Sequence, residues 1–492
     1  MYTQGQAVMN RSFFPCQDTP AIKSTYTATV RVAEGFTAVM SANTNVKNPN
    51  LVDINGVNHQ IYSFGLDVPI PSYLVALAVG DLQSARVGPR SHVWTESCML
   101  EACKSELDGI VEDFISTGER LFGEYVWGNY DVLVMPPSFP FGGMENPCLT
   151  FVTPCIIVGD KSLTDVIIHE ISHSWFGNLV TNANWSEFWL NEGFTMFAQR
   201  RITEELFGKP YACLEASTGQ ALLRQHIDNE GQDHPLTKLR VVIEPGVDPD
   251  DTYNETPYEK GFAFVSYLQN LVGDVKKFDD FLKSYVSKYK FKSLVAEDMF
   301  DYFLEYFPKM KEDKIDKKEG FEFTDTWLHK PGWPTYTPDL SAGKELTGPA
   351  EDLAKQWREG GQKVSDVDIG QWKTYQILHF LDQLLEGTDL SQVTMATLAK
   401  TYPKISGTTN AEIRLRWSLL TIKHDYVADF DNVKKFLVSQ GKQKYTLPVY
   451  RQLVKGSDTA KKLAQDMYKE TKDMLHVGVK DYVKGILDKA NL

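Results

Sequence analysis

The sequence predicts a multidomain α+β protein, with a β-sheet domain first, a mixed α/β region next and a run of helices last. Three observations predict it. Period-2 alternation dominates the first ninety residues. Short apolar strand signals mixed with long helical ones fill the middle. From about residue 351 onward one helical pattern follows another.

In the first part, Tyr26, Ala28, Val30 and Val32 alternate with Thr27, Thr29 and Arg31, which is the rhythm of a half-buried strand. Further strand-like runs are Thr37–Ala42, Gln60–Leu66 and Ser72–Val79, punctuated by Pro69, Pro71 and Gly80. The first strand signal arrives with no lead-in, so the β domain is expected to lack its opening strands, which would leave an open sheet edge. We assign residues 1–90 to it. Residues 91–335 form the mixed region: Cys98–Phe122 has helical spacing, Tyr130–Met135 reads as a strand, helices run from Ser162 to about Phe207, and two more lie near Tyr258–Val272 and Lys276–Tyr289. Pro331-Gly-Trp-Pro334 and Tyr336-Thr-Pro338 open a linker over 336–350. Residues 351–492 then read as an α-solenoid. Trp372, Tyr375 and His379 share one helical face there, and Ile413, Trp417 and Leu420 share another.

With 492 residues, about three domains of ~150 residues are expected. The formal charge of −14 argues against a nucleic-acid partner, because phosphate binding needs a basic face. Apolar stretches such as Tyr73–Val79 fall far short of the ~18 residues a membrane span needs. Six cysteines with no C-x-x-C pair suggest free thiols. Met1–Arg11 is polar and carries no leader signal, which leaves cytoplasm and secretion both open as compartments.

Chemistry concentrates in His169-Glu170-Ile171-Ser172-His173. Two imidazoles one helical turn apart can reach one metal ion. Ser162-Leu-Thr-Asp165 fits a capping box for this helix, and Gly177-Asn178 fits a stop. Eighteen residues separate His173 from Glu192, so a second helix folded back on the first would bring Glu192 to the same ion. Two neutral histidines and a carboxylate leave a fourth position open, the arrangement of a catalytic zinc site. Glu170, between the ligands, is suited to take a proton from water at that position. Phe141-Gly142-Gly143-Met144-Glu145-Asn146 lies just ahead. Its glycines would let a backbone strand approach a peptide closely, and Glu145 would hold a free ammonium group.

These motifs resemble peptidase family M1, the zinc aminopeptidases of the gluzincin type. Glycine-rich Gly142–Asn146, the two histidines and Glu192 at the family's spacing carry the resemblance. Within the family the aminopeptidase B branch is most similar, and the leukotriene A4 hydrolase branch is related. The stretches Phe139–Pro154, His169–Trp185, Asp248–Phe262 and Gly441–Pro448 point there, and the resemblance spans essentially the whole chain. It implies a thermolysin-like catalytic domain, an armadillo-like helical domain and an active site where all three domains meet. It implies one Zn²⁺ per chain, a monomer, and hydrolysis of the N-terminal residue of peptides with a free amino group. It also implies roles. Tyr258 would donate to the developing oxyanion. Gln6 would reach the substrate's amino end. Asp250, with Asp251 beside it, would face the first side chain and favour arginine or lysine. Lys442 and Lys444 would meet the peptide's carboxylate. Two alternatives stand beside this reading: hydrolysis of a fatty-acid epoxide, as in the leukotriene A4 hydrolase branch, and a truncated, non-catalytic peptide-binding form. Phe141 and Lys442 stand where that branch has tyrosine and arginine, which weakens the epoxide reading.

Overall fold

The computed structural model describes residues 1–360, 364–365 and 369–492. The N-terminal part is built on the long strand Val57–Pro71, which pairs antiparallel with Lys23–Ala33 on one side and with Thr44–Lys47 and Val52–Ile54 on the other. Tyr26, Ala28, Val30 and Val32 face inward along Lys23–Ala33, as the alternation requires. A second pair joins Thr37–Met40 to Leu77–Gly80, and the chain's first residues add to its free edge through the Tyr2–Ala78 bridge. The run read as one strand over Ser72–Val79 is a short 3₁₀ turn, Ser72–Leu74, followed by the strand Leu77–Gly80, because Pro71 leads the chain into the turn.

The catalytic part holds a five-stranded sheet in the order Gly143–Met144, Leu149–Val152, Asp131–Val134, Ser91–Thr95, Gln83–Gly88. Gln83–Gly88 bonds to Ser91–Thr95, so the chain enters this sheet before residue 90. Gly143–Met144 is an edge strand, paired only with Leu149–Val152 among the described residues. The helical stretch Cys98–Phe122 is two helices, Leu100–Leu107 and Ile110–Phe122, broken where Gly109 takes φ +77°.

Four helices position the site: α1 (Asp165–Ser172), α2 (Phe188–Phe207), α3 (Lys209–Glu230) and α4 (Gly261–Val272). α1 starts two residues later than the capping-box reading places it, with Thr164 and not Ser162 at its N-cap position. Ser162 does not cap it, and the Asp165 carboxylate accepts from the Tyr375 hydroxyl of the helical domain at 2.6 Å. α2 is buried on nearly every side over Trp189–Thr203, as befits a helix at the centre of a domain.

The helical region begins with Lys344–Arg358, inside the stretch read as a linker. It continues through Thr374–Glu386, Gln392–Thr401, Ala411–Lys423, Phe430–Ser439, Gln443–Lys455, Asp458–Thr471 and Val477–Lys489. Tyr375 and His379 are buried, as are Ile413, Trp417 and Leu420. One core joins the N-terminal sheets to the catalytic domain, and two further cores fill the helical region. Among the described residues no helix is long and apolar enough to cross a membrane.

Candidate active site

α1 carries His169 one turn before His173, and α2 returns antiparallel to deliver Glu192. The two Nε2 atoms lie 3.2 Å apart, and Glu192 Oε2 lies 3.3 and 3.4 Å from them. Ligands about 2.0–2.1 Å from a tetrahedral zinc ion sit roughly 3.3 Å from one another, so this triangle has the size of one face of such a site. Glu192 Oε2 is buried and has no hydrogen-bond donor among the described residues, which suits an atom reserved for a cation. The outer nitrogens are also engaged: His173 Nδ1 meets the Phe176 carbonyl at 2.9 Å and Thr195 Oγ1 at 3.0 Å, and His169 Nδ1 meets Gln199 Oε1 at 2.9 Å. The donor set fits zinc.

Glu170 and Glu145 are buried beside this triangle, each with a carboxylate oxygen that has no partner among the described residues. Burial pushes both carboxyls upward, Glu170 to about 7. The edge strand Gly143–Met144 runs directly over Glu170: a Cβ on Gly143 would lie 2.1 Å from Glu170 Oε1, so only glycine permits this approach. A Cβ on Gly142 would sit 3.4 Å from Lys442 Nζ, which brings the helical domain to the same strand. The backbone amides of Gly441 and Gln443 bond the carbonyls of Pro137 and Pro140, fastening the two domains there.

Tyr258 lies in a π-helical turn, Thr256–Lys260, that opens into α4. Its ring stacks near His169, with centroids 6.1 Å apart, and its hydroxyl donates to Tyr253 at 3.4 Å. Burial, and then the Glu192 charge, hold the phenol well above its ordinary pKa, so it remains a proton donor. α2 and α4 cross at Gly193 and Gly261, where a Cβ on either would lie within 2.8 Å of the other's backbone.

The remaining residues named from the sequence sit on other elements. Asp250 is half-buried and accepts from the Ala7 amide at 3.2 Å, which puts Gln6 at its side. Burial and neighbouring Asp248 raise the Asp250 carboxyl to about 6. Asp248 caps the turn that carries Asp250, Asp251 accepts from Tyr482 at 3.3 Å, and Asn254 Oδ1 accepts from the Thr256 amide at 2.7 Å, just ahead of Tyr258. Lys442 and Lys444 each have an acid beside them, Glu412 at 3.9 Å and Glu255 at 3.4 Å. Gln4, Tyr253 and Gln199 escaped the sequence reading. Gln4 donates to Met144 Sδ and keeps a buried, unpartnered Oε1. Tyr253 had a signal, standing five residues before Tyr258 in the stretch that carries the family resemblance; Gln199 had a weaker one, seven residues after Glu192 on the same helical face.

Comparison with known proteins agrees with this geometry. Residues 1–74 match the peptidase M1 N-terminal domain, 105–327 the peptidase family M1 domain, and 372–487 the leukotriene A4 hydrolase C-terminal domain. The chain is 60% identical to aminopeptidase B of Mus musculus over 491 residues, which cover 99% of this chain and 74% of that protein. Against leukotriene A-4 hydrolase of Xenopus laevis the identity is 39% over 457 residues, covering 92% and 73%. Yeast leukotriene A4 hydrolase in complex with bestatin superposes with a TM-score of 0.88 at 34% identity, covering 99% of this chain and 77% of that one. The higher identity to aminopeptidase B favours the peptidase reading over the epoxide hydrolase alternative. With the zinc-sized triangle, a carboxylate beside it and this likeness along the whole chain, the protein belongs to peptidase family M1 and is a zinc metallo-aminopeptidase.

Proposed function

We propose that this aminopeptidase removes N-terminal arginine and lysine from peptides. The observation that carries the exopeptidase part is the buried Glu145 carboxylate, with an unpartnered oxygen, beside an edge strand that ends at the metal triangle. A buried carboxylate of this kind needs a cation, and a substrate's free ammonium supplies one. The peptide backbone would add to the free edge of Gly142–Met144, which sets its first carbonyl over Glu170. Gln6, and Gln4 with it, would close around the amino end.

Bound zinc supplies the Lewis acidity that activates water and polarises the scissile carbonyl. Glu170 takes the proton from the attacking water and passes it to the leaving amine. Tyr258 donates its phenolic hydrogen to the oxygen on which negative charge develops, turning away from Tyr253 to do so. Asp250 faces the first side chain and pairs with a guanidinium or ammonium group. Lys442 and Lys444 meet the far carboxylate of short peptides; Glu412 and Glu255 keep their charges balanced while no peptide is present. The chain completes this cleft from its own three domains, which supports a monomer.

The test is a panel of arginyl, lysyl, alanyl and leucyl substrates, each free and N-acetylated, assayed with and without a chelator. The basic substrates should lead, acetylation should abolish turnover, and chelation should stop it. A preference for leucine would overturn the basic specificity, and equal turnover of acetylated peptides would overturn the role of Glu145.

A further inference from the structure

The outer nitrogens of the two ligand histidines are held differently. His173 Nδ1 faces a backbone carbonyl, which can only accept, so it carries the hydrogen and leaves Nε2 bare. His169 Nδ1 faces a glutamine side chain, and an amide has no fixed polarity of its own: rotated by half a turn, Gln199 would offer its NH₂ instead and favour the tautomer with hydrogen on Nε2, where the metal binds. Something else must orient that amide.

Gln199 stands seven residues after Glu192 on α2, on the same face. Its Nε2 donates to Glu215 Oε1 of α3 at 2.6 Å. A carboxylate accepts only, so it holds the NH₂ end and turns the carbonyl end toward His169. Glu215 is itself built in. Arg200 Nε lies 3.7 Å from it, and the same guanidinium grips Glu259 through two bonds of 2.8 and 2.9 Å. Glu259 is the neighbour of Tyr258, and its carboxylate rests on Gly219, where a Cβ would lie 2.3 Å from Oε1. Gln199, Arg200, Glu215 and Glu259 are all at least nine-tenths buried. Burial raises the Glu215 carboxyl to about 7, with the Arg200 charge opposing, and the experiment is therefore run on the alkaline side.

We propose that Gln199 and Glu215 are positioning residues, a directional relay that fixes His169 in its zinc-binding tautomer, anchored through Arg200 and Glu259 to the turn that carries Tyr258. The relay works through hydrogen-bond polarity, so replacements that keep shape but lose polarity should expose it. This rests on the zinc site alone. Loss of the arginine preference in the substrate panel would leave it untouched.

The experiment measures zinc affinity at pH 8 by chelator competition in the full-length protein, for Gln199→Leu and Glu215→Gln. Gln199→Leu removes the acceptor for His169 and should weaken zinc by about 10–100-fold, the usual effect of losing such a partner. Glu215→Gln keeps size and an acceptor but allows both amides to flip together, and should weaken zinc by about threefold or more. In both variants saturating zinc should restore kcat, which a merely structural lesion would not allow. Because Glu215→Gln is nearly isosteric, it keeps the test open if Gln199→Leu misfolds. Parent-like zinc affinity in Glu215→Gln would overturn the relay.

Discussion

If Asp250 selects the basic side chain through its charge, selectivity must follow the ionisation of that one carboxyl. Burial and Asp248 raise it to about 6 from an ordinary 3.8. The ionised fraction is then about 0.99 at pH 8 and about 0.09 at pH 5. The ratio of kcat/KM for an arginyl over a leucyl substrate should therefore fall roughly elevenfold between those pH values. Taking a ratio cancels every titration the two substrates share, at the metal centre and at the substrate amine, and kcat/KM reports the free enzyme, to which the raised value applies. Asp250→Asn should flatten the ratio across this range and set it near its acid limit.

The same rise has a second consequence, opposite in sign for stability. The folded protein holds a proton that the unfolded chain gives up between pH 3.8 and about 6. Ionised Asp250 therefore costs stability above pH 6, about 3 kcal/mol at most, and the cost disappears as pH falls through 6 toward 3.8. Asp250→Asn should melt at a higher temperature than the parent at pH 8, with a smaller gain at pH 5. A selectivity ratio that stays flat from pH 5 to 9 in the parent, or an Asn variant that keeps the parent's pH dependence, would refute the reasoning.

Three further outcomes follow from the inner site. Glu170→Gln should keep zinc, as judged by metal analysis, while turnover falls about 10²–10⁴-fold, because the amide preserves shape but accepts no proton; loss of zinc would make Glu170 a structural support. Glu145→Ala should cost about 30-fold or more in kcat/KM on free-amine peptides and narrow the gap to N-acetylated ones; an unchanged gap would remove Glu145 from ammonium recognition. Gly143→Ala would put a methyl 2.1 Å from the Glu170 carboxylate and displace it, for a loss of about 10²-fold in kcat with the fold intact by circular dichroism; full activity would mean that the strand does not hold Glu170.

Much of this is legible in the sequence, for physical reasons that differ by element. His169 and His173 were readable because helical geometry turns a four-residue spacing into a shared face, and Glu192 because a second helix can fold back on the first; the structure brings their ligand atoms within 3.2–3.4 Å. Tyr26–Val32 was readable because a two-residue period survives in any half-buried strand. The start of α1 was not. Ser162 and Asp165 have the residue types of a capping box, but Asp165 is drawn off to Tyr375, 210 positions away, and no local rule contains that partner. The acids beside Lys442 and Lys444 were hidden for the same reason, since Glu412 and Glu255 sit on other elements. Gln199 was hidden because an amide carries no charge to notice; its meaning comes from Glu215 on the next helix.

The crossing of α2 and α4 at Gly193 and Gly261 gives the enzyme something like a machined datum. Glu192 precedes one of these glycines, and Tyr258 stands three residues before the other. Where main chain rests on main chain, the separation of the two helices is set by peptide geometry and not by whichever side chains fill the space around them. Rearrangements of the core on either flank can then alter how firmly the domain holds together while the metal ligand and the oxyanion donor keep their mutual distance. An engineer seeking a hardier enzyme would thus have broad freedom to repack Phe194, Phe262 and Phe264 nearby, and almost none at the two positions that have no side chain at all.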